Sequence, residues 1–236
     1  MREAKTKTTA LPLFLQISEA LTREIAAGRL VDGERLPPER QLAEQYGTSV
    51  RTLRKALEQL ENQKLLDRVQ GSGNYVRSSP TVQGVYSMFR LELRGGGGLP
   101  TADILAVDHV DKPGDLPAFG TATRANRIRR QRYLDGVSIA VEEIWLDAGA
   151  GHVDPETLSD SLYRYYRLQL GFWITRAEDY VSIGTVPDWS PVSFQKSPGT
   201  QLGYVERFSW AQAPEPVEFS RTWFDTEKAL YVQRLT

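Results

Sequence analysis

At 236 residues and 40% hydrophobic content the chain is long enough to bury two modest cores, so two domains are the starting expectation. The absence of cysteine excludes disulfides and thiolate metal sites, leaving only His109 and His152 as strong nitrogen ligands. The net charge of −1 hides an asymmetry: residues 1–79 carry 13 Lys/Arg against 10 Asp/Glu and the remainder 16 against 20, so a phosphate backbone attracts the first part and repels the second.

In chain order, Met1–Thr9 is charged and lacks the apolar core of a secretion signal, and no apolar run is long enough to span a bilayer. A soluble, cytoplasmic protein without membrane contact is expected. From Pro12 to Ala27 the residues Leu13, Ile17, Leu21 and Ile25 recur every four positions, predicting a helix that Gly28 ends. Pro37 and Pro38 hold the chain extended, and a short helix follows over Glu39–Gln45. Tyr46-Gly47 breaks it, and Thr48 or Ser49 caps a third helix with Val50, Leu53, Leu57 and Leu60 as its buried stripe and Arg51, Thr52, Arg54 and Lys55 on its other face. Two short helices about a glycine turn, the second with a basic, polar start, form a helix-turn-helix pattern. Strand-like runs Leu65–Val69 and Asn74–Val76 about Gln70-Gly71-Ser72-Gly73 add a hairpin in the position of a wing.

Ser78-Ser79-Pro80-Thr81 reads as a linker, which sets the domains at 8–79 and 80–236. Beyond it, Ile104–Val110, Ala125–Tyr133, Ser138–Leu146, Tyr180–Gly184, Gly203–Trp210 and Val217–Phe224 are strand-like runs that predict a mainly antiparallel sheet. Leu158–Leu170 is the clearest helix of this half, with Leu158, Leu162, Tyr165 or Tyr166 and Leu170 inward and Gly171 as its stop. The fold class is α+β.

The stretch from Pro12 through LPPERQLAEQYGTSVRTLRKALEQLENQKLLDRVQGSGNYV resembles the GntR family winged helix over its whole length. RRQRYLDG, IAVEEIWL, DSLYRYY and PVEFSRTWF, in that order, resemble the UTRA effector domain of the HutC subfamily, a chorismate lyase-like antiparallel sheet with helices. The resemblance implies a dimeric regulator, a repressor, that binds double-stranded operator DNA and a small-molecule effector, with no cofactor. It places DNA contacts at Arg40, at Ser49, Arg51, Thr52 and Arg54 of the recognition helix, and at the wing tip Gly71, Ser72 and Gly73. Arginine can fork to guanine or phosphate, hydroxyls bond phosphate oxygens, and glycines let the backbone approach a groove. Val50 departs from this pattern, standing where many relatives carry arginine.

For the effector, the resemblance implies Arg130 and Arg132, which alternate on one strand face, Glu142 on the next strand, Ser161 and Tyr163 at the helix start, and Glu218. Ser87-Met88-Phe89-Arg90 matches a backbone clamp, so Phe89 and Arg90 join the set; Phe224 replaces a ligand-binding tyrosine of some relatives. Arginines with two carboxylates suit a sugar phosphate, amino sugar, amino acid or organic acid. A ligand held by both the arginine strand and the Phe89–Arg90 segment would favour one orientation of the winged helices and release a pseudo-palindromic operator.

Each residue also has a plainer reading. Arg130 and Arg132 sit in the basic run Arg124–Arg132, which could be a solvated stripe. Glu142 and Glu143 point to opposite faces of a strand, against a catalytic pair; His109 and His152 lack further ligands at metal spacing. Gly95–Gly98 lacks the ending of a phosphate loop, and the tryptophans and tyrosines suit packing better than base stacking. Two other functions remain open at this point: an enzyme acting on a small carboxylate, and a DNA-binding architectural protein whose second domain only dimerises.

Overall fold

The computed structural model describes residues 11–26, 28–77, 90–96, 98–158 and 161–233. The expected linker Ser78–Thr81, and with it the boundary between residues 79 and 80, lies outside them. The chain divides into two compact units, one built chiefly from residues 11–92 and the other from residues 100–230.

The N-terminal unit contains helices α1 (Leu13–Ala26), α2 (Glu39–Gln45) and α3 (Val50–Asn62), then strands β1 (Leu66–Val69) and β2 (Gly73–Val76). Ile17, Leu21, Leu42, Leu53, Leu57 and Leu60 meet in one core, the apolar stripes of the three helices turned on each other. Gly28 takes φ +69 after α1, a left-handed value that favours glycine. Ser49, not Thr48, caps α3: its hydroxyl accepts the Thr52 N–H at 3.1 Å. β1 and β2 pair antiparallel with Val69 opposite Gly73. The segment after α1 adds a third edge, as Leu36 N–H donates to the Asn74 carbonyl at 2.9 Å and Val76 N–H to the Glu34 carbonyl at 2.8 Å.

The C-terminal unit is an antiparallel six-stranded sheet in the order β4 (Pro100–Asp111), β5 (Arg124–Leu134), β6 (Val137–Asp147), β9 (Glu218–Phe224), β8 (Gln201–Trp210), β7 (Arg176–Thr185). β6 is the spine, buried without interruption from Ile139 to Asp147. Every expected strand is present, but β4 and β7 run longer at their N-terminal ends. Two short strands, β3 (Leu91–Leu93) and β10 (Ala229–Tyr231), form a separate pair that sequence patterning did not show.

The helix expected over Leu158–Leu170 is shorter. A turn built on Asp154 comes first, its carbonyl accepting the Leu158 N–H at 3.1 Å and its carboxylate the Glu156 N–H at 2.9 Å. α4 then covers Leu162–Tyr165 and widens into a π-type turn over Tyr166–Leu170, ended by Gly171 at φ +75. Leu162, Tyr165 and Tyr166 are its buried side. Among the described residues, no helix is long and apolar enough to cross a membrane.

Candidate functional site

In the N-terminal unit, α2, the start of α3 and the hairpin present the residues expected to read DNA. Arg40 on α2 is almost fully exposed, 3.6 Å from Glu44 one turn on. Arg51 is exposed on the first turn of α3. Ser49 and Thr52 share a hydroxyl hydrogen bond at 2.9 Å besides the cap, so Ser49 serves the helix end whether or not it meets phosphate. Arg54 donates to Glu39 at 2.6 Å, an acidic partner that sequence reasoning did not consider. Val50 is half-buried against the core and so has no polar atom to offer a base edge. At the hairpin tip Gly71 takes φ +77 and Gly73 φ +137, and a Cβ on Gly73 would lie 2.9 Å from the Arg35 guanidinium. The Ser72 hydroxyl is bonded to the Tyr75 hydroxyl at 2.7 Å.

The sheet of the C-terminal unit sorts its charges by face. Cross-strand register puts Arg130, Glu142 and Thr222 in one row, Ser220, Arg207 and Asp179 in a neighbouring row, and Glu218 beside Ser209 in the next, all on one face. Arg130, only 4% exposed, donates to Glu142 at 2.6 Å; Arg132 approaches the same carboxylate at 3.3 and 3.4 Å, a longer and chiefly electrostatic contact. Burial pushes the Glu142 carboxyl up, but the charges and hydrogen bonds of Arg132 and Arg130 outweigh it and hold its pKa at about 2.

Glu218 is a buried carboxyl of opposite tendency. It accepts the Tyr166 hydroxyl at 2.6 Å, the Ser209 hydroxyl at 2.9 Å and the Tyr163 hydroxyl at 3.4 Å. Burial raises its pKa, and the Tyr166 and Ser209 hydroxyls with the charges of Arg207 and Arg130 reduce that shift without cancelling it. Burial, with the neighbouring Glu218 charge, pushes the Tyr163 hydroxyl up to about 12, so it stays a proton donor. Arg207 is held by both oxygens of Asp179 at 2.5 and 2.6 Å. The charge of Arg130 acts on Glu218, which joins the two clusters into one polar face.

The structure thus brings together Arg130, Arg132, Glu142, Tyr163 and Glu218 of the expected set. Ser161 stands at the start of α4, its carbonyl accepting the Tyr165 N–H at 3.0 Å. Arg90 precedes β3, and its carbonyl accepts the Val232 N–H at 2.8 Å; Phe89 lies outside the described residues. Sequence reasoning missed Tyr166, Ser209, Arg207 and Asp179. The signal available for two of them was period: Arg207 and Ser209 alternate on β8 as Arg130 and Arg132 do on β5. Phe224 shares the polar face, but its ring packs on backbone, where a Cβ on Gly203 would lie 2.3 Å from it.

Glu143 faces the other way, accepting from Arg129 at 2.8 Å and from the Trp145 indole at 3.1 Å, as strand alternation requires. His109 and His152 meet edge to face at 5.5 Å, with the His109 ring 3.3 Å from the Asn126 amide. Among the described residues no group of three or more metal-ligating side chains converges. Trp145, Trp189, Trp210 and Trp223 all pack against other rings or arginines within the unit.

A helix-turn-helix with a wing, followed by a sheet with a buried polar face, defines a DNA-binding regulator that carries its own sensing domain. Comparison with known proteins agrees. Residues 13–76 match the bacterial regulatory proteins of the gntR family and residues 97–229 match the UTRA domain. The HTH-type transcriptional regulator SmoD of Agrobacterium fabrum (strain C58) is 52% identical over 96% of this chain and 97% of its own. The HTH-type transcriptional repressor NagR of Bacillus subtilis (strain 168) is 26% identical over 96% of each. The crystal structure of Bacillus subtilis YydK shares the fold, with a TM-score of 0.53 at 21% identity over 96% of this chain and 100% of that one. The chain belongs to the GntR family, in the HutC-like arrangement of winged helix and UTRA domain. Its relatives and structural neighbours are transcriptional regulators, so it is a DNA-binding transcriptional regulator, and the enzyme alternative has no support.

Proposed function

We propose that the protein is a cytoplasmic, homodimeric repressor whose operator binding is controlled by a small polar or anionic metabolite held on the polar face of the UTRA sheet. One observation carries the effector reading: Arg130, Arg132 and Glu142 form a buried ionic cluster that is joined electrostatically to Glu218. A sheet needing only a core would fill these positions with apolar side chains, because burying ions costs several kcal/mol, on the order of the whole stability margin. The face is also rich in donors: Arg130, Arg132 and Arg207 suit an anionic group, and Tyr163, Tyr166 and Ser209 suit hydroxyls or amines beside it. Sugar phosphates, amino sugars, amino acids and organic acids fit that description.

Repression draws support from the relative named as a repressor. Domains of 8–79 for DNA and 80–236 for effector and dimer contact fit the two matched segments, which leave residues 77–96 between them. Each protomer would set α3 into a major groove of a pseudo-palindromic site, with Arg40, Arg51, Thr52, Arg54 and the wing glycines against it. Effector binding shifts the population of states by its differential affinity, typically about 1–3 kcal/mol.

The test has two stages. An operator is selected from random-sequence duplexes with the full-length protein, and thermal shift and operator release are then measured against a panel of the four metabolite classes. A ligand at a hundredfold excess over its Kd adds about 2.7 kcal/mol of stability. A hit that releases the operator from the wild type but not from Arg130→Ala/Arg132→Ala supports the reading; release that survives the double substitution overturns it.

A further inference from the structure

We propose that Glu39 is a positioning residue for DNA reading: one carboxylate fixes Arg54 of the recognition helix and Arg68 of the wing in register with each other. The proposal rests on the DNA-reading assignment above. Glu39 opens α2, and its two oxygens are divided between two arginines, with Arg54 Nε on one at 2.6 Å and Arg68 Nη2 on the other at 3.0 Å. Arg68 is anchored further: it donates through Nε to the Asn74 side chain across the hairpin at 3.3 Å and lies 3.7 Å from Glu61 near the end of α3. Asn74 is buried, and its carbonyl accepts the Leu36 N–H at 2.9 Å. One carboxylate therefore ties the start of α2, the early part of α3 and the wing hairpin at the surface.

Glu39 stays ionised in this setting. Burial raises its pKa, but hydrogen bonds and charge from Arg54 and Arg68 together outweigh it and bring it below the ordinary carboxylate value. A negative charge on a face that meets phosphates is repelled by DNA, and exposed ion pairs contribute little to stability. Its use is geometric. Arg54 has an exposed, long side chain whose freedom would be lost on binding, and Glu39 removes part of that freedom beforehand. Arg68 becomes a second, unforeseen candidate for phosphate contact, at a fixed distance from the first.

Charge and positioning make opposite predictions for Glu39→Gln. With the full-length protein and the selected operator, positioning predicts that operator affinity falls about tenfold, equivalent to about 1.4 kcal/mol. Affinity for a random-sequence duplex of the same length should hold or rise, because a repulsive charge has gone. Far-UV melting should stay at the wild-type value, and the effect of Glu39→Gln should shrink when Arg54→Ala is already present. Equal gains on both duplexes, or no change on either, would overturn the proposal. So would an operator loss that is the same with and without Arg54→Ala. Failure of the wild type to select any operator would instead defeat the DNA-reading assignment.

Discussion

Replacing Glu142 with glutamine keeps the shape of the side chain and removes its charge, leaving Arg130 and Arg132 buried without their shared counter-ion. Two routes give the size of the effect. Its pKa falls from the ordinary carboxylate value to about 2 in the folded protein, which corresponds to about 3 kcal/mol of linked stability. Removing one partner of a buried pair also costs about 3–5 kcal/mol in general. For a unit of this size that lowers Tm by about 6–20 °C. All five tryptophans lie between residues 145 and 223, so indole fluorescence follows the UTRA unit without interference from the winged helix. A folded-state pKa below the unfolded one means that the stabilisation is complete above the unfolded value and fades as pH falls through the folded one. The gap between wild type and Glu142→Gln should therefore close between about pH 4.5 and pH 2. A variant that melts with the wild type at pH 7, or a gap unchanged across that acid range, would refute the cluster as the source of the shift.

Glu218 has the opposite linkage: its raised pKa makes its contribution to stability decline as pH rises above the ordinary carboxylate range, and an anionic effector should bind with proton uptake there. Calorimetry of an anionic hit in two buffers of different ionisation enthalpy reads that uptake, which Glu218→Gln should abolish; uptake persisting in the variant places the proton elsewhere. Ser49→Ala should destabilise the winged helix by about 1 kcal/mol through loss of the cap to Thr52, seen in far-UV melting even without DNA. Gly73→Ala forces a side chain into φ +137 against Arg35 and should weaken operator binding; gel-shift affinity equal to wild type would show that the wing does not contact DNA. Gly203→Ala drives a methyl into the Phe224 ring, 2.3 Å away, and should cost about 1–3 kcal/mol in tryptophan-monitored unfolding.

The winged helix was legible because its physics is local. Leu53, Leu57 and Leu60 state a helical face by spacing alone, and Gly71 and Gly73 state a turn by their freedom at positive φ. The strand carrying Arg130 and Arg132 was legible for the same reason, and period two also separated Glu142 from Glu143 correctly. What escaped depends on contacts distant in the chain. The N-terminal part of β7 carries Arg176, Glu178 and Asp179, which lie before the strand-like run Tyr180–Gly184 and join the strand through pairing such as Asp179 opposite Arg207. Tyr166 looked like core from its helical position and proved to be a buried donor to a carboxylate 52 residues away. Glu39 shows in the sequence only as the start of the second helix, and only folding brings Arg54 and Arg68 to its two oxygens.

These missed residues share a property that bears on specificity. Asp179, on the outer strand, holds one edge of the Arg207 guanidinium with both its oxygens, so the orientation of a donor on the polar face is set by a residue 28 positions away in sequence. Asp179→Asn would keep the packing while removing the charge that fixes Arg207, and a ligand selected by that donor should lose affinity about tenfold or more. Such a ligand would still depend on Arg130 and Arg132 as before. Affinity untouched by Asp179→Asn would confine recognition to the β5 and β6 side of the sheet and leave the Arg207–Asp179 pair a purely structural clasp on its edge.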